Sequence, residues 1–503
     1  MVQIEREQDI EVLRQVATLL DRENQKLIDR ITKLTQENGR LRGQDAASAQ
    51  RELEFLKELL AKRNQALFGD SSEKRPQNGE KPKAAAPVPQ RGHGPRPQPE
   101  LPIEERVHEL AADERQCPVC GGALAEMKDQ TEDSEEITVV ERRFVMVKHR
   151  RKKYRCRCNA CVETAPPPPK LQAGSRYSVE FAVEVAAAKY LDHLPLERQC
   201  RIMGREGLSV DSQTLWDQIN VLARHLAPTY EAIGRKVLSS PIVSADETTW
   251  RLMGADEKKQ WYVWEVGSAE AVFYRMRDSR SQNAAKTVLA EYRGIVMADG
   301  YGVYGALSRA GPSFTLVNCW AHARRKFVEC EPNFPKECGE ILDLIGELYA
   351  VERLVPPARN GDAAEALRLR GELRQTRSRQ IVRKIQDWAI AQRPLPQSGL
   401  GGAIEYMFKL WNGLVAFVED PRIPLDNNAA ERALRGVVLG RKNHYGSRSR
   451  RGTEVAALYY TLFETAKLAG IEPKSYVLKA AHAAIASPGA ATLPSSLLST
   501  AIN

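Results

Sequence analysis

Leucine recurs at every seventh position through Leu13, Leu20, Leu27, Leu34 and Leu41, and Ile10, Ala17, Asn24, Ile31 and Asn38 fill the other core position of that heptad. The pattern predicts a leucine-zipper helix, in which core Asn gives up stability but selects a parallel, two-stranded arrangement. Leu53, Leu60 and Leu67 repeat by seven in a second predicted helix. Two arrangements satisfy these stripes: a coiled coil with another copy of the chain over residues 1–68, or a hairpin of the two helices. From 69 to 104 large apolar residues nearly vanish among Pro, Lys, Gln, Gly and Ala, so the segment cannot bury enough surface to order itself and reads as a linker. Short alternating strands are expected over 105–165. The period then lengthens to that of helices at 179–192 and 211–223, on either side of a turn at 204–207.

From Pro241 the period shortens again, predicting strands at 242–245, 260–266 and 272–276, a helix at 281–292, and strands at 294–298 and 314–318. Three antiparallel strands, a crossover helix and parallel strands follow the order of a ribonuclease H-like fold, with strands one and four adjacent. Residues 333–420 are helical and charged, an insertion. Residues 421–482 hold a further core helix and closing helices, and 483–503 read as a loose tail. The expected fold class is multidomain α/β. A ribonuclease H-like core begins at 239–332, preceded by the coiled coil, a small zinc-binding β domain at 105–165 and a helical, DNA-binding-like region at 170–238.

The 503 residues suffice for several cores, and Lys plus Arg exceed Asp plus Glu by 74 to 65, a net charge of +9 that suits a polyanionic partner. No apolar run reaches membrane-spanning length, and the polar start of the chain lacks the apolar stretch of a secretory signal, so a cytoplasmic protein is expected. Nine Cys is an odd count, and five of them cluster between Cys117 and Cys161 as a pair and a triplet, which favours metal over disulfides. A structural Zn²⁺ is expected on Cys117, Cys120, Cys158 and Cys161, with Cys156 as the alternative ligand. Arg150, Arg151, Lys152 and Lys153 crown a basic strand region that either contacts phosphates or forms a solvated face. Ser212, Gln213, Thr214 and Asp217 would open a recognition helix if the helix pair is a helix-turn-helix, and would otherwise sit on a packing helix.

Three acids concentrate the chemistry. Asp246 and Asp299 each follow a predicted strand, and Glu431 lies in a helical pattern after Asp426-Asn-Asn. Singly each has a plainer role, since Asp caps turns and Asp-Gly is a common turn pair. Together, two Asp and one Glu are the oxygen ligands that two Mg²⁺ (or Mn²⁺) ions require for phosphodiester chemistry. Asp426 is the acid to consider in place of Glu431. Arg324, Arg325, Lys326, Arg432, Arg435, Arg441 and Lys442 are placed in sequence to hold DNA backbone. Cys319 and His322 lack partners for a further metal site and read as orienting or structural groups.

Seven motifs carry a resemblance: Leu67-Phe-Gly-Asp-Ser-Ser-Glu-Lys74, Cys117-Pro-Val-Cys120-Gly-Gly, Tyr190-Leu-Asp-His-Leu-Pro-Leu-Glu-Arg198, Ala245-Asp-Glu-Thr248, Ala298-Asp-Gly-Tyr301, Cys319-Trp-Ala-His-Ala-Arg-Arg325 and Asp426-Asn-Asn-Ala-Ala-Glu431. Over roughly 53–480 the chain resembles transposases of the insertion sequence 66 family. The resemblance implies a DDE-type enzyme with Asp246, Asp299 and Glu431 catalytic. It also implies element ends with terminal inverted repeats and target DNA as bound DNA, self-association into a dimer or higher synaptic complex, and accessory proteins of the same element. The third thiol of Cys156-Arg-Cys158-Asn-Ala-Cys161 departs from a four-ligand site. The function expected is metal-dependent DNA strand cleavage and strand transfer. The competing readings are a non-catalytic DNA-binding regulator derived from a transposase, and a ribonuclease H-like nuclease that joins no strands.

Overall fold

A computed structural model describes residues 144–155 and 162–499, apart from 255–259, 290, 311–313, 356–362 and 396–397, together with a few isolated earlier positions. The leucine heptads lie almost entirely outside the described residues, and the linker positions and the thiols of Cys117, Cys120, Cys156, Cys158 and Cys161 lie wholly outside them. The chain divides into two compact units, 74–143 and the remainder, and the elements below belong to the second.

A short ribbon of β1 (Lys153–Arg155) and β2 (Val162–Thr164) precedes three helices, α1 (Val179–Tyr190), α2 (Leu196–Arg205) and α3 (Ser212–Leu238). Asp211 caps α3, its Oδ1 accepting from Thr214 N at 2.6 Å. The helix expected to stop near 223 runs on through Pro228 to Leu238. Leu215, Ile219, Leu222, Leu226, Ile233 and Val237 keep one stripe buried along its whole length, and that packing outweighs the hydrogen bond lost at proline. At its start Ser212 donates to Glu197 on α2, and Gln213 to Asp217.

The central sheet comprises β3 (Ile242–Arg251), β4 (Gln260–Gly267), β5 (Val272–Arg277), β6 (Ile295–Ala298) and β7 (Thr315–Asn318), in the order β5-β4-β3-β6-β7. β3, β4 and β5 pair antiparallel, while β6 joins β3 and β7 joins β6 in parallel. The first and fourth strands of this sheet are neighbours, as the strand order predicted. One expectation needs correction: Asp246 does not end β3, which continues to Arg251 in register with β4. Thr248, Thr249 and Trp250 are strong strand formers that extend the hairpin past the polar Asp-Glu pair. What ends at Ser244 is the parallel ladder with β6, paired there with Met297.

Helix α4 (Gln282–Leu289) crosses from β5 to β6, α5 (Gly302–Arg309) links β6 to β7, and α6 (Trp320–Cys330) leaves β7. The inserted helices are α7 (Pro335–Glu352), α8 (Ala363–Leu373), α9 (Arg379–Ala391), α10 (Gly399–Lys409) and α11 (Trp411–Val415). Then come α12 (Asn428–His444), α13 (Arg450–Leu468), α14 (Pro473–Ala486) and α15 (Pro494–Ser499). Two cores result. One joins β3, β4 and β5 to α1, α3, α13 and α14, and the other joins Met297 and Val317 of the sheet to α6, α7, α9 and α10.

The edge strand β5 is covered by α13, where Thr465 Oγ1 accepts from Val272 N and Thr461 Oγ1 from Tyr274 N. Ser449 caps α13, so Arg450 and Arg451 of the basic stretch around it belong to the helix. The tail read as loose is tied down at least to Ser499. Tyr476 Oη donates to Thr492 O, Thr492 N donates to Thr229 Oγ1, and α15 follows.

Candidate active site

Asp246 and Asp299 stand two residues beyond the last parallel pair, Ser244 with Met297, so they face each other where β3 and β6 part. Asp299 follows β6, and its Oδ1 accepts from Tyr301 N at 2.9 Å, which closes the Asp-Gly-Tyr turn. Asn318 Nδ2 at the end of β7 donates to Asp299 O, and Gly300 N donates to Tyr406 Oη from the inserted helix α10. A Cβ at residue 300 would strike that tyrosine ring, so Gly300 lets the insertion approach the turn.

Burial, opposed in part by the Glu247 N–H, pushes the Asp246 carboxyl up to about 7, and the charges of Glu247, Asp299 and Glu431 add to the rise. Opposite it in the sheet, Glu265 is only 1% exposed and is raised well above the usual range, by burial first and by Asp246 next. The adjoining Glu247 is neutralised differently. It accepts from Tyr304 Oη at 2.6 Å and from Arg280 Nε at 2.7 Å. The Arg280 guanidinium lies 3.9 Å over the Tyr301 ring, and Tyr301 Oη returns a hydrogen bond to Arg280 O. A chain of contacts thus runs from Glu247 to the Asp299 turn.

Glu431 comes to these acids through the first turn of α12. Asn427, 1% exposed, caps that helix without a side-chain cap bond, because its side chain is used elsewhere. Its Nδ2 donates to Ala245 O at 3.2 Å, next to Asp246, and its backbone N donates to Cys319 Sγ at 3.1 Å. Asp426 Oδ1 meanwhile accepts from Asn428 N. Cys319 therefore secures the helix start, its thiol pushed up to about 11 by burial. On α6, His322 Nε2 lies 3.5 Å and Arg325 3.6 Å from Glu431 Oε1.

Upstream, the loop into α12 is held by Arg374, in a π-helical turn at Arg374–Ser378. Its side chain is 1% exposed and donates to both carboxyl oxygens of Glu352 and to the carbonyls of Phe417, Asp420 and Ile423. A buried guanidinium needs such complete pairing. Nothing in the local sequence around Arg374 signals it, whereas Asn427 sat inside a noted motif but was legible only as a helix cap.

The donor set of Asp246, Asp299 and Glu431 is all oxygen, which fits hard divalent cations. The site also carries excess negative charge, and Glu431 Oε1 is buried without a hydrogen bond. Among the described residues no three His, Cys, Asp or Glu side chains are grouped closely enough to hold a metal as they stand. Glu431 leans instead on His322 and Arg325.

The other basic residues are dispersed. Arg324 is half-buried beside Glu431 and Lys326 pairs with Glu329, while Arg432, Arg435 and Lys442 are exposed along α12. Arg441 is bound to Thr248 and Thr249 of β3. Arg150, Arg151, Lys152 and Lys153 are exposed near the β1–β2 ribbon, far along the chain from the acids. No helix among the described residues is long and apolar enough to cross a membrane.

Residues 174–455, more than half of the chain, match the family model described as Transposase IS66 family, and 114–159 match the zinc-finger binding domain of transposase IS66. The chain belongs to the IS66 family of transposases. The zinc-finger match spans Cys117, Cys120, Cys156 and Cys158 and stops before Cys161. The uncharacterized protein y4jD of Sinorhizobium fredii (strain NBRC 101917 / NGR234) is 31% identical over 388 residues, covering 73% of this chain and 74% of that protein. From the same organism, the uncharacterized protein y4hP is 30% identical over 391 residues, 72% of this chain and 69% of its own. The crystal structure of the Mos1 mariner paired end complex with Mn covers 51% of this chain and 81% of its own at 10% identity, and its TM-score of 0.14 carries no argument.

Proposed function

We propose that this transposase cuts the ends of its element and joins them to target DNA at a ribonuclease H-like site built from Asp246, Asp299 and Glu431. The observation that carries the reading is the convergence on Asp246. Burial raises its proton affinity first, and Asp299 after the neighbouring strand and Glu431 from a distant helix add to the rise, which supports a reading in which the three acids act together. Mg²⁺ or Mn²⁺, when bound, would activate the attacking oxygen and stabilise the leaving one.

The chain's own residues hold that geometry. Asp246 presents its carboxylate from within β3 and Asp299 from the turn that follows β6, and Asn427 ties the Glu431 helix to β3. Glu247 is held by Arg280 and Tyr304, and its charge still adds to the rise at Asp246. Terminal inverted repeats are the DNA bound, Cys117 and Cys120 with two of Cys156, Cys158 and Cys161 hold Zn²⁺, and the heptads of 1–68 assemble chains into a synaptic complex. Accessory proteins of the element complete the assembly, in the bacterial cytoplasm.

The test is a strand-transfer assay with Mg²⁺ or Mn²⁺ on paired element ends. Asp246→Asn, Asp299→Asn and Glu431→Gln should each abolish joined product while end binding persists. Full activity of any one removes that residue from the triad, and nicked product without joining would make the protein a nuclease.

A further inference from the structure

Three helices enclose a cleft of about 410 Å³ beside Glu431. Arg324 and Arg325 face it from α6, Tyr349 from α7 and Arg353 from the cap that ends α7, and Asn428 and Glu431 from the first turn of α12. On each helix the spacing of three or four residues puts the lining side chains on one face. Gly346, one turn before Tyr349 on α7, leaves the cleft open, since nothing lies within 4 Å of where its Cβ would stand. The volume falls within the ~300–1,000 Å³ of small-ligand sites.

The charge of the cleft selects its occupant. Three guanidinium groups meet a single carboxylate, and among the described residues neither Arg324 nor Arg353 forms an ion pair with an acid. Arginine forks match the oxygens of a phosphate in pairs, so the lining suits a phosphodiester. The cleft is walled by helices, and about 410 Å³ is the room of a nucleotide, not of a duplex. Because Glu431 is part of its wall, whatever enters lies next to the proposed point of cutting.

We propose that this cleft takes one nucleotide of a DNA single strand, its phosphate held between Arg324 and Arg353. The helical insertion, which also steadies the Asp299 turn and the loop into α12, would then grip DNA directly through Arg353. The inference rests on the transposase reading for the identity of the DNA, though its test does not depend on catalysis.

Full-length protein would be titrated against fluorescein-labelled oligothymidylate and against a blunt duplex, following anisotropy over a range of KCl. Arg353→Gln is expected to weaken oligothymidylate binding about tenfold, as loss of a charged hydrogen bond does. It should also lower the slope of log affinity against log salt by about 0.7, one single-strand phosphate contact. Gly346→Met fills the cleft without changing its charge and should weaken oligothymidylate binding alike, while Gly346→Ala, whose methyl meets open space, should bind as the parent does. Duplex affinity should stay unchanged in all three.

Unaltered oligothymidylate binding by Gly346→Met would overturn the proposal, as would equal weakening of duplex and single strand by Arg353→Gln. Binding that responds as expected in a protein that yields no joined product would keep the cleft and remove the transposase mechanism. Loss of binding in Gly346→Met, with Gly346→Ala intact, separates occupancy from misfolding.

Discussion

Replacing Asp246 by Asn should stabilise the metal-free protein above about pH 4, by an amount that grows until about pH 7. The carboxyl ionises at about 7 in the fold against an ordinary 3.8. At ~1.36 kcal/mol for each tenfold step, keeping it charged in the native site costs on the order of 4 kcal/mol. Between about pH 4 and pH 7 the native state retains a proton that the unfolded chain has released, so stability falls as pH rises through that window and levels off above it. About 3 kcal/mol of the loss should fall between pH 5 and pH 8 in the parent and be missing from Asp246→Asn. Urea denaturation in EDTA measures this, with Trp250 and Trp264, 0% and 1% exposed, reporting on the core that surrounds the site. Mn²⁺ added at pH 8 should restore the parent, because the cation supplies the positive charge the acids lack, and should leave Asp246→Asn nearly unmoved. Parallel pH curves for the two proteins, or equal stabilisation of both by Mn²⁺, would refute the reasoning.

Arg374→Leu strands three carbonyls and removes the bidentate partner of Glu352, so it should cost about 3–5 kcal/mol in the same denaturation assay. Gly440→Ala places a methyl against Tyr460 Oη and 2.9 Å from His444 Nε2, and should lower stability by about 1–3 kcal/mol with a loss of strand transfer, because α12 also carries Glu431. Elemental analysis should find one zinc per chain, lost in Cys117→Ser and Cys120→Ser and retained in Cys156→Ser; retention in Cys158→Ser with loss in Cys156→Ser would exchange those two roles. Asn427→Leu should keep the fold and depress strand transfer, because it frees the helix start from Ala245 O, and full activity would show that α12 needs no such tie.

The candidate acids are legible in the sequence itself. Asp246 and Asp299 could be paired on adjacent strands because alternation marks strands and chain connectivity limits their order. Glu431 was legible only through its motif, since nothing in the spacing shows a helix folding back over an insertion. The end of β3 was misjudged because Asp246 and Glu247 look like a turn. The Glu247 contacts to Arg280 and Tyr304 that make a polar strand interior acceptable come from residues some way along the chain. The helix end at 223 was misjudged for a related reason, as a helix with one stripe buried over its full length tolerates Pro228.

The sequence by itself determined the kind and order of the strands and helices of the central sheet, and it singles out the three acids and the clustered thiols as candidates, because periodicity and residue chemistry are local properties. The tertiary structure alone decided what brings the acids together. Asn427 meets Cys319 and Ala245 across 108 and 182 residues of chain, and Arg374 gathers carbonyls from a loop more than 40 residues ahead. Such contacts form only after two cores have closed on the sheet. The same closure removes water from Asp246 and brings like charges against it, so its proton affinity is a property of the folded site that no local pattern in the chain encodes.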